Sequence, residues 1–317
     1  MDVRWGILGT ANIARASFLP GLRAAGGGRA YAVASRTEER AASFAAANGI
    51  EHAVAGYAAL LADSRIQAVY IPLPNSLHAE WTVAALRAGK AVLCEKPLCA
   101  DLPETERVLA EPGLLWEAFV FPFHAQMARV RELLAAGAIG ELREIHSSFH
   151  FRLRSRQNIR LDPALAGGAL NDVGCYCVHL ATQLFGERPQ AARALATHAP
   201  EGVDEDMQGL LAFPGGRRLL MTCGLTRGRD CLSRLLGSEG EIRLSNPFHP
   251  GPADTLTVLA GGRECSERPT GPEPPFTAAI RHIHAVLGGE AAPLHLARDE
   301  SLATAAGLAL LRAGGAA

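Results

Sequence analysis

Lysine is almost missing: among 31 lysine and arginine residues, only Lys90 and Lys96 are lysines. Tyrosine is scarce as well, with four in 317 residues, and all aromatics together make up 6%. No apolar run reaches the roughly 20 residues of a membrane-spanning helix, which argues against a membrane partner. No basic segment or cleavage pattern precedes the first apolar stretch at residues 3–8, so no signal peptide is expected. The seven cysteines show no C-x-x-C spacing, which disfavours a disulfide framework or zinc clip and points to a reducing, cytoplasmic setting. A net charge of -1 supplies no field that would draw the chain to nucleic acid or an anionic membrane. Small-molecule chemistry is what these absences leave.

With 48% hydrophobic and 20% charged residues the chain has the composition of a globular protein, and its length predicts two domains. Strand patterns at 3–8, 30–34, 52–54, 68–71, 91–94 and 114–118 alternate with helical ones at 11–25, 38–48, 57–62, 77–88 and 104–109. Thr37, followed by Glu38 and Glu39, reads as a helix N-cap. Alternation of this kind predicts an α/β Rossmann domain over 1–121, with a parallel, doubly wound sheet. From 122 to 317 the pattern changes. Helices at 125–136 and 171–185 accompany strands near 141–151, 189–197, 206–213, 217–224, 231–236 and 254–259, with a loop at 265–275. This predicts an α+β domain with a mainly antiparallel open sheet, closed by helices at 276–287 and 301–312, the last able to pack back on the first domain. Two long helices are too few to cover both faces of such a sheet, so a homodimer is expected.

The run Gly6-Ile7-Leu8-Gly9-Thr10-Ala11-Asn12-Ile13-Ala14 sits where the first strand turns into a helix, the place of a dinucleotide fingerprint. Gly9 would make the tight turn, Ala11 would stand where the backbone nears a pyrophosphate, and the amides at the helix start would hold it. Ala11 departs from the usual glycine. NAD-binding versions carry an acidic residue at the end of the second strand, but here the chain reads Ala34-Ser35-Arg36. A hydroxyl and a guanidinium suit a 2′-phosphate, which favours NADP(H) over NAD(H).

Cys94-Glu95-Lys96-Pro97 follows the fifth strand, at the carboxyl edge where open α/β sheets bind ligands. In a chain that writes its cations as arginine, a lysine there is a compact, tunable ammonium. Asp172 and Tyr176 stand four apart at a helix start after Gly167-Gly168, hence on one face. Oxidising an alcohol needs hydride transfer to a nicotinamide and removal of the hydroxyl proton, which a tyrosine beside a lysine can mediate.

These residues resemble the Gfo/Idh/MocA oxidoreductase family over nearly the whole chain. The resemblance rests on Gly9 to Ala14, Pro72-Leu73-Pro74-Asn75-Ser76-Leu77-His78, Glu95-Lys96-Pro97, and Gly167 to Tyr176. It implies that Lys96 and Asp172 orient the reacting hydroxyl and that Tyr176 relays its proton. It also implies a cofactor lined by Gly9, Thr10, Ala11, Asn12, Ile13, Ser35, Arg36, Pro72, Leu73, Pro74, Asn75, His78, Glu95 and Lys96, and a cis peptide before Pro97. Tyrosine at 176 is similar to the branch holding glucose-fructose oxidoreductase, NADP-dependent xylose dehydrogenases and dimeric dihydrodiol dehydrogenases. Asn158 and Arg160 become substrate-contact candidates. His179 and Phe121-Pro122 depart from that branch and leave the substrate open.

The function expected is hydride transfer between NADP and a sugar or polyol. Reduction of a keto-sugar or anhydro-sugar, or oxidation of a trans-dihydrodiol, would use the same residues. A nucleotide- or sugar-sensing regulator is disfavoured by the complete Lys, Asp and Tyr set. Arg152, Arg154 and Arg156 alternate as on one strand face, without the interleaved aromatics of a nucleic-acid platform. His146 with His150, and His282 with His284, lack further ligands and read as structural; no metal is expected.

Overall fold

The computed structural model describes residues 2–269, 271 and 273–314. It divides into two compact units: the first takes the chain up to Val120 together with Glu273–Arg298, and the second begins at Phe121 and resumes at Asp299.

The first unit is built on β1 (Val3–Leu8), β2 (Gly28–Ser35), β3 (His52–Ala55), β4 (Ala68–Ile71), β5 (Ala91–Cys94) and β6 (Leu115–Glu117). They form one parallel sheet in the order β3-β2-β1-β4-β5-β6, the doubly wound arrangement. β4 and β5 are buried at every residue, as strands covered on both faces must be. The helices α1 (Leu19–Ala25), α2 (Glu38–Asn48), α3 (Tyr57–Leu61), α4 (His78–Arg87) and α5 (Leu102–Leu109) supply the cover. α2 starts where its cap predicts, with Thr37 accepting from the Arg40 amide, and stops at Gly49 in the left-handed region at φ 68°. The helix expected from residue 11 differs: after residues 12 and 13 it passes through a π-helical stretch, Ala14–Phe18, before α1.

The second unit contributes α6 (Ala125–Ala135), β7 (Leu142–His150), α7 (Cys175–Phe185), β8 (Ala191–His198), β9 (Asp204–Ala212), β10 (Arg218–Gly224), β11 (Asp230–Gly237), β12 (Gly240–Leu244), β13 (Leu256–Ala260) and β14 (Arg263–Glu267). Its eight-stranded sheet runs β14-β13-β12-β11-β7-β10-β9-β8, antiparallel except where β10 (Arg218–Gly224) pairs with β7. Two strands were not expected. β12 (Gly240–Leu244) is short, and β14 is an exposed charged edge without apolar alternation, so neither carries the usual signal. β14 therefore enters the expected 265–275 loop, of which Thr270 and Pro272 lie outside the described residues. β7 ends at His150, so Arg152, Arg154 and Arg156 do not share a strand face as anticipated; Arg156 instead pairs with Glu201 and Glu205.

The closing helices correct the expected 122–317 domain. α8 (Thr277–Leu287) belongs to the first unit. It lies so close to α1 that a Cβ on Gly21 would stand 2.7 Å from Phe276 Cβ. The Trp5 indole donates to His284 Nε2 at 2.8 Å, while His284 Nδ1 donates to the Gly26 carbonyl at 2.7 Å. α9 (Ala297–Gly314) is tied within the second unit, through Thr304 to His179 Nδ1 and Arg312 to Asn171. Among the described residues no helix is long and apolar enough to cross a membrane.

Candidate active site

In the first unit the candidate residues lie on the turns leaving the carboxyl ends of the strands. Gly9 adopts φ +110° after β1, and a Cβ there would press within 2.9 Å of Leu73 Cδ2, so glycine is required by both conformation and space. Thr10 and Ala11 are half-buried, whereas Asn12 and Ile13 are exposed. At the end of β2, Ser35 is buried and Arg36 exposed, and neither position carries a carboxylate. Burial raises the Tyr57 phenol above its usual value, and the positive charges of Arg36 and Arg40 pull it back. Both guanidiniums therefore act on one spot beside that strand end. Arg40, which sequence reasoning passed over, also lines a 520 Å³ cleft with Thr10, Asn12, Arg15 and Ser43. Its signal was its place four residues after Arg36, one turn into α2.

Lys96 follows β5, half-buried, with a cis Lys96–Pro97 peptide as the resemblance implied. The next peptide is held from both sides. His78 Nδ1 lies 2.8 Å from the Pro97 carbonyl oxygen, and the Leu98 amide donates to Glu117 Oε1 at 2.8 Å. His78 Nε2 lies 2.8 Å from the Leu73 carbonyl oxygen, so the ring braces the turns after β4 and β5 against each other. Burial pushes the His78 pKa down against the pull of those carbonyls, with Lys96 adding to the fall. The His78 side chain is 0% exposed between these two turns. Pro72 and Leu73 are likewise buried, while Pro74 and Asn75 are half-buried at the turn. Glu95 accepts from the Tyr70 hydroxyl at 2.7 Å. Glu117 went unnoticed in the sequence because a carboxylate ending a strand has no local signature.

In the second unit Gly168, at φ +109°, makes the turn into Leu170–Gly174, a π-helical stretch that continues as α7. Such stretches are frequent at functional sites. Asp204 fills the space a Gly168 side chain would need and accepts from the Leu170 amide at 2.6 Å. Burial raises its pKa despite that hydrogen bond. Asp172 sits on this stretch and accepts from Arg160 Nε at 2.5 Å, and the Arg160 guanidinium lies 5.6 Å from the Phe151 ring centroid. Arg160 thus positions Asp172. Asn158 accepts from the Arg160 amide at 3.0 Å and caps its own turn. Asn158 and Arg160, expected as substrate contacts, thus also support the aspartate.

Tyr176 is 8% exposed and walled by rings: Phe248 at 5.2 Å, Phe149 at 5.3 Å, His249 at 5.4 Å and Phe121 at 6.3 Å between centroids. Phe248 and His249 come from a distant loop and were not read in the sequence. His179, behind this wall, is buried against Phe121 and hydrogen-bonds Thr304. An apolar wall around one phenol lowers the local dielectric, which strengthens hydrogen bonding to a substrate oxygen.

Comparison with known proteins bears on both units. The family model described as "Oxidoreductase family, NAD-binding Rossmann fold" matches residues 3–111, and the GFO/IDH/MocA C-terminal domain matches 127–243. A dTDP-3,4-didehydro-2,6-dideoxy-alpha-D-glucose 3-reductase of Streptomyces violaceoruber is 42% identical over 277 residues, 86% of this chain and 79% of the relative. A D-xylose 1-dehydrogenase (NADP(+)) of Haloferax volcanii is 40% identical over 271 residues, covering 83% and 82%. Among solved structures, a 3-ketoreductase from Actinomadura kijaniata, in complex with NADP and TDP-benzene, superposes with a TM-score of 0.89 at 34% identity. The match covers 99% of this chain and 98% of that one.

Proposed function

Because the chain belongs to the Gfo/Idh/MocA oxidoreductase family, we propose that it moves a hydride between NADP and a hydroxyl or carbonyl carbon of a sugar or polyol. The observation that carries this reading is the pairing of Asp172, held by Arg160, with Tyr176 in its aromatic wall, on one short segment. The NADP-linked xylose dehydrogenase supports oxidation of an aldose. The 3-reductases support the reverse direction, on a keto-sugar, as a second reading with the same residues.

The first unit suits the cofactor. Gly9 admits the backbone turn, and the end of β2 offers Ser35 with Arg36 and Arg40 where a carboxylate would repel a 2′-phosphate. Thr10, Ala11 and Asn12 would hold the pyrophosphate, and Pro74, Asn75 and Lys96 would lie toward the nicotinamide. The bound nicotinamide supplies hydride acceptance or donation. The protein's part is proton handling and orientation. Lys96 and Asp172 would hydrogen-bond the reacting oxygen, and Tyr176 would take its proton on oxidation or return it on reduction.

A second copy of this chain would cover the open face of the second unit's sheet, making a homodimer. There His146, Leu195, Leu210, Leu220, Leu232 and Arg234 line a shallow depression, with Leu195 75% exposed and Leu232 51% exposed. The seven cysteines form no disulfide among the described residues, in keeping with a cytoplasmic enzyme.

The test is nicotinamide absorbance over a panel of aldoses, keto-sugars and diols with both cofactors. Turnover of a sugar with NADP(H), faster than with NAD(H), is the expected result. An NAD(H) preference that Arg36→Asp leaves unchanged would remove the cofactor assignment, and inactivity across the panel would remove the reaction.

A further inference from the structure

We propose that Asp204 is a positioning residue for the reaction: through the Leu170 amide, its carboxylate fixes the π-helical turn that sets Asp172 and Tyr176 toward the substrate. The inference rests on the reading of those two side chains as the reacting pair and names what holds them.

The helix that carries the pair has no cap of its own. Ala169 precedes Leu170–Gly174 without a side-chain acceptor, so the first amides of the helix need a partner from elsewhere. Asp204, the first residue of β9, supplies one at 2.6 Å from the Leu170 amide. A carboxylate is the favoured group at that end, where the helix dipole is positive. The carbonyl of the same residue, Leu170, accepts from the Cys175 amide and closes the wide turn around Asp172. Tyr176 is the next residue in the chain. One clamp on Leu170 therefore fixes where both side chains leave the helix.

Two features of the chain serve this contact. Regular alternation along β9 would put Asp204 and Asp206 on one face, yet Asp206 pairs with Arg227 while Asp204 reaches the helix. The difference is a β-bulge: Thr197 of β8 faces Asp206 but His198 faces Asp204, so Glu205 is an extra residue that re-aims its neighbour. On the helix side, a Cβ on Gly168 would run into Asp204 Oδ1, so only glycine leaves the carboxylate its seat. The turn before the helix is tied independently. The Gly168 amide donates to the Arg160 carbonyl at 2.8 Å, and Asn171, itself bonded by Arg312, donates to the Ala166 carbonyl at 3.0 Å. Removing the Asp204 carboxylate would thus loosen the π-helical turn and leave the chain around it in place.

The experiment measures kcat and KM for the sugar turned over fastest, NADP(H) affinity and melting temperature in the wild type, Asp204→Ala and Asp204→Asn. Alanine removes the acceptor, whereas the asparagine amide oxygen can still take the Leu170 amide. A misplacement of about 1 Å lowers a rate roughly 10²-fold, so a loosened turn in Asp204→Ala should lower kcat on the order of tenfold, with KM changed less. Asp204→Asn should recover most of that loss, and NADP(H) affinity should match the wild type in both. A purely architectural role would lower the melting temperature and leave kcat at the assay temperature unchanged. Wild-type kcat in Asp204→Ala therefore overturns the inference, and so does an equal loss of kcat in Asp204→Asn. Should Asp204→Ala fail to fold, Asp204→Glu takes its place, since its added methylene carries the acceptor past the Leu170 amide, and the same two outcomes decide. Full turnover in Tyr176→Phe would instead remove the reading of the reacting pair, whatever Asp204 does.

Discussion

The two sheets solve different problems. In the first unit six parallel strands are roofed by helices, and the candidate groups sit on the turns that leave their carboxyl ends. Backbone geometry dominates there, so Gly9, Ser35-Arg36 and Glu95-Lys96-Pro97 are short consecutive runs. In the second unit eight mostly antiparallel strands leave one face open, and the surroundings of Tyr176 come from β7, from the segment at Phe121 and from the loop at Phe248-His249. A parallel sheet gathers its site by topology, whereas an antiparallel one gathers it by tertiary packing.

The sharpest way to break this comparison is to remove chemistry from each unit separately. Lys96→Arg keeps the charge but replaces a compact ammonium by a planar fork, and a misplacement of about 1 Å is expected to lower kcat on the order of 10²-fold. NADP(H) affinity and melting temperature should stay near wild type. Lys90 is the control. Its Nζ donates to the Asp63 and Ile66 carbonyls at 2.7 and 2.9 Å, so Lys90→Arg should lower stability and spare turnover. Tyr176→Phe should match the Lys96 loss, about 10²-fold, with cofactor binding preserved. Full activity in Tyr176→Phe would assign the second unit to binding alone.

What could be read in the sequence follows the same division. The parallel sheet, the cap at Thr37 and the turn at Gly9 each have local causes, namely buried strands, a side chain at helix position zero and positive φ. The π-helical openings at Ala14–Phe18 and Leu170–Gly174 were read as plain helix because periodicity over five residues does not separate the two. His78 was legible from its motif, but a motif does not reveal that the ring is enclosed between two turns. Arg160 belongs to the same class: nothing local in the sequence marks its pairing with Asp172. Glu117, Phe248 and His249 depend on strand ends and a loop far apart in the chain, and nothing local marked them.

A smaller effect tests the open face. No such surface exists on the first unit's strands β4 and β5, which are buried throughout. If a second copy covers Leu232, removing its side chain loses roughly 1–2 kcal/mol of burial, so Leu232→Ala should raise the dimer dissociation constant about tenfold by sedimentation. A monomeric wild type at micromolar concentration would leave that face without its proposed partner.

The smallest expected effect concerns what joins the first unit's own ends. Trp5 and His284 are 279 positions apart, and their hydrogen bond needs Nε2 of the imidazole unprotonated, since Nδ1–H is already given to Gly26. Burial holds the His284 pKa below its ordinary 6.5, with the Gly26 carbonyl pulling the other way. Between that lowered value and 6.5 the unfolded chain binds more protons than the folded one, so stability rises with pH across the window. The contribution is complete above about pH 6.5 and is lost as the pH falls toward the lowered value. Because the ring is partly exposed, the contribution is under about 1 kcal/mol, or about 2 °C in melting temperature for a unit of this size. His284→Gln cannot titrate but can still donate to Gly26 and accept from Trp5. Its melting temperature should therefore fall less than that of the wild type between pH 7.5 and 5.5. Parallel pH profiles for the two proteins would show that the Trp5–His284 contact does not depend on the proton.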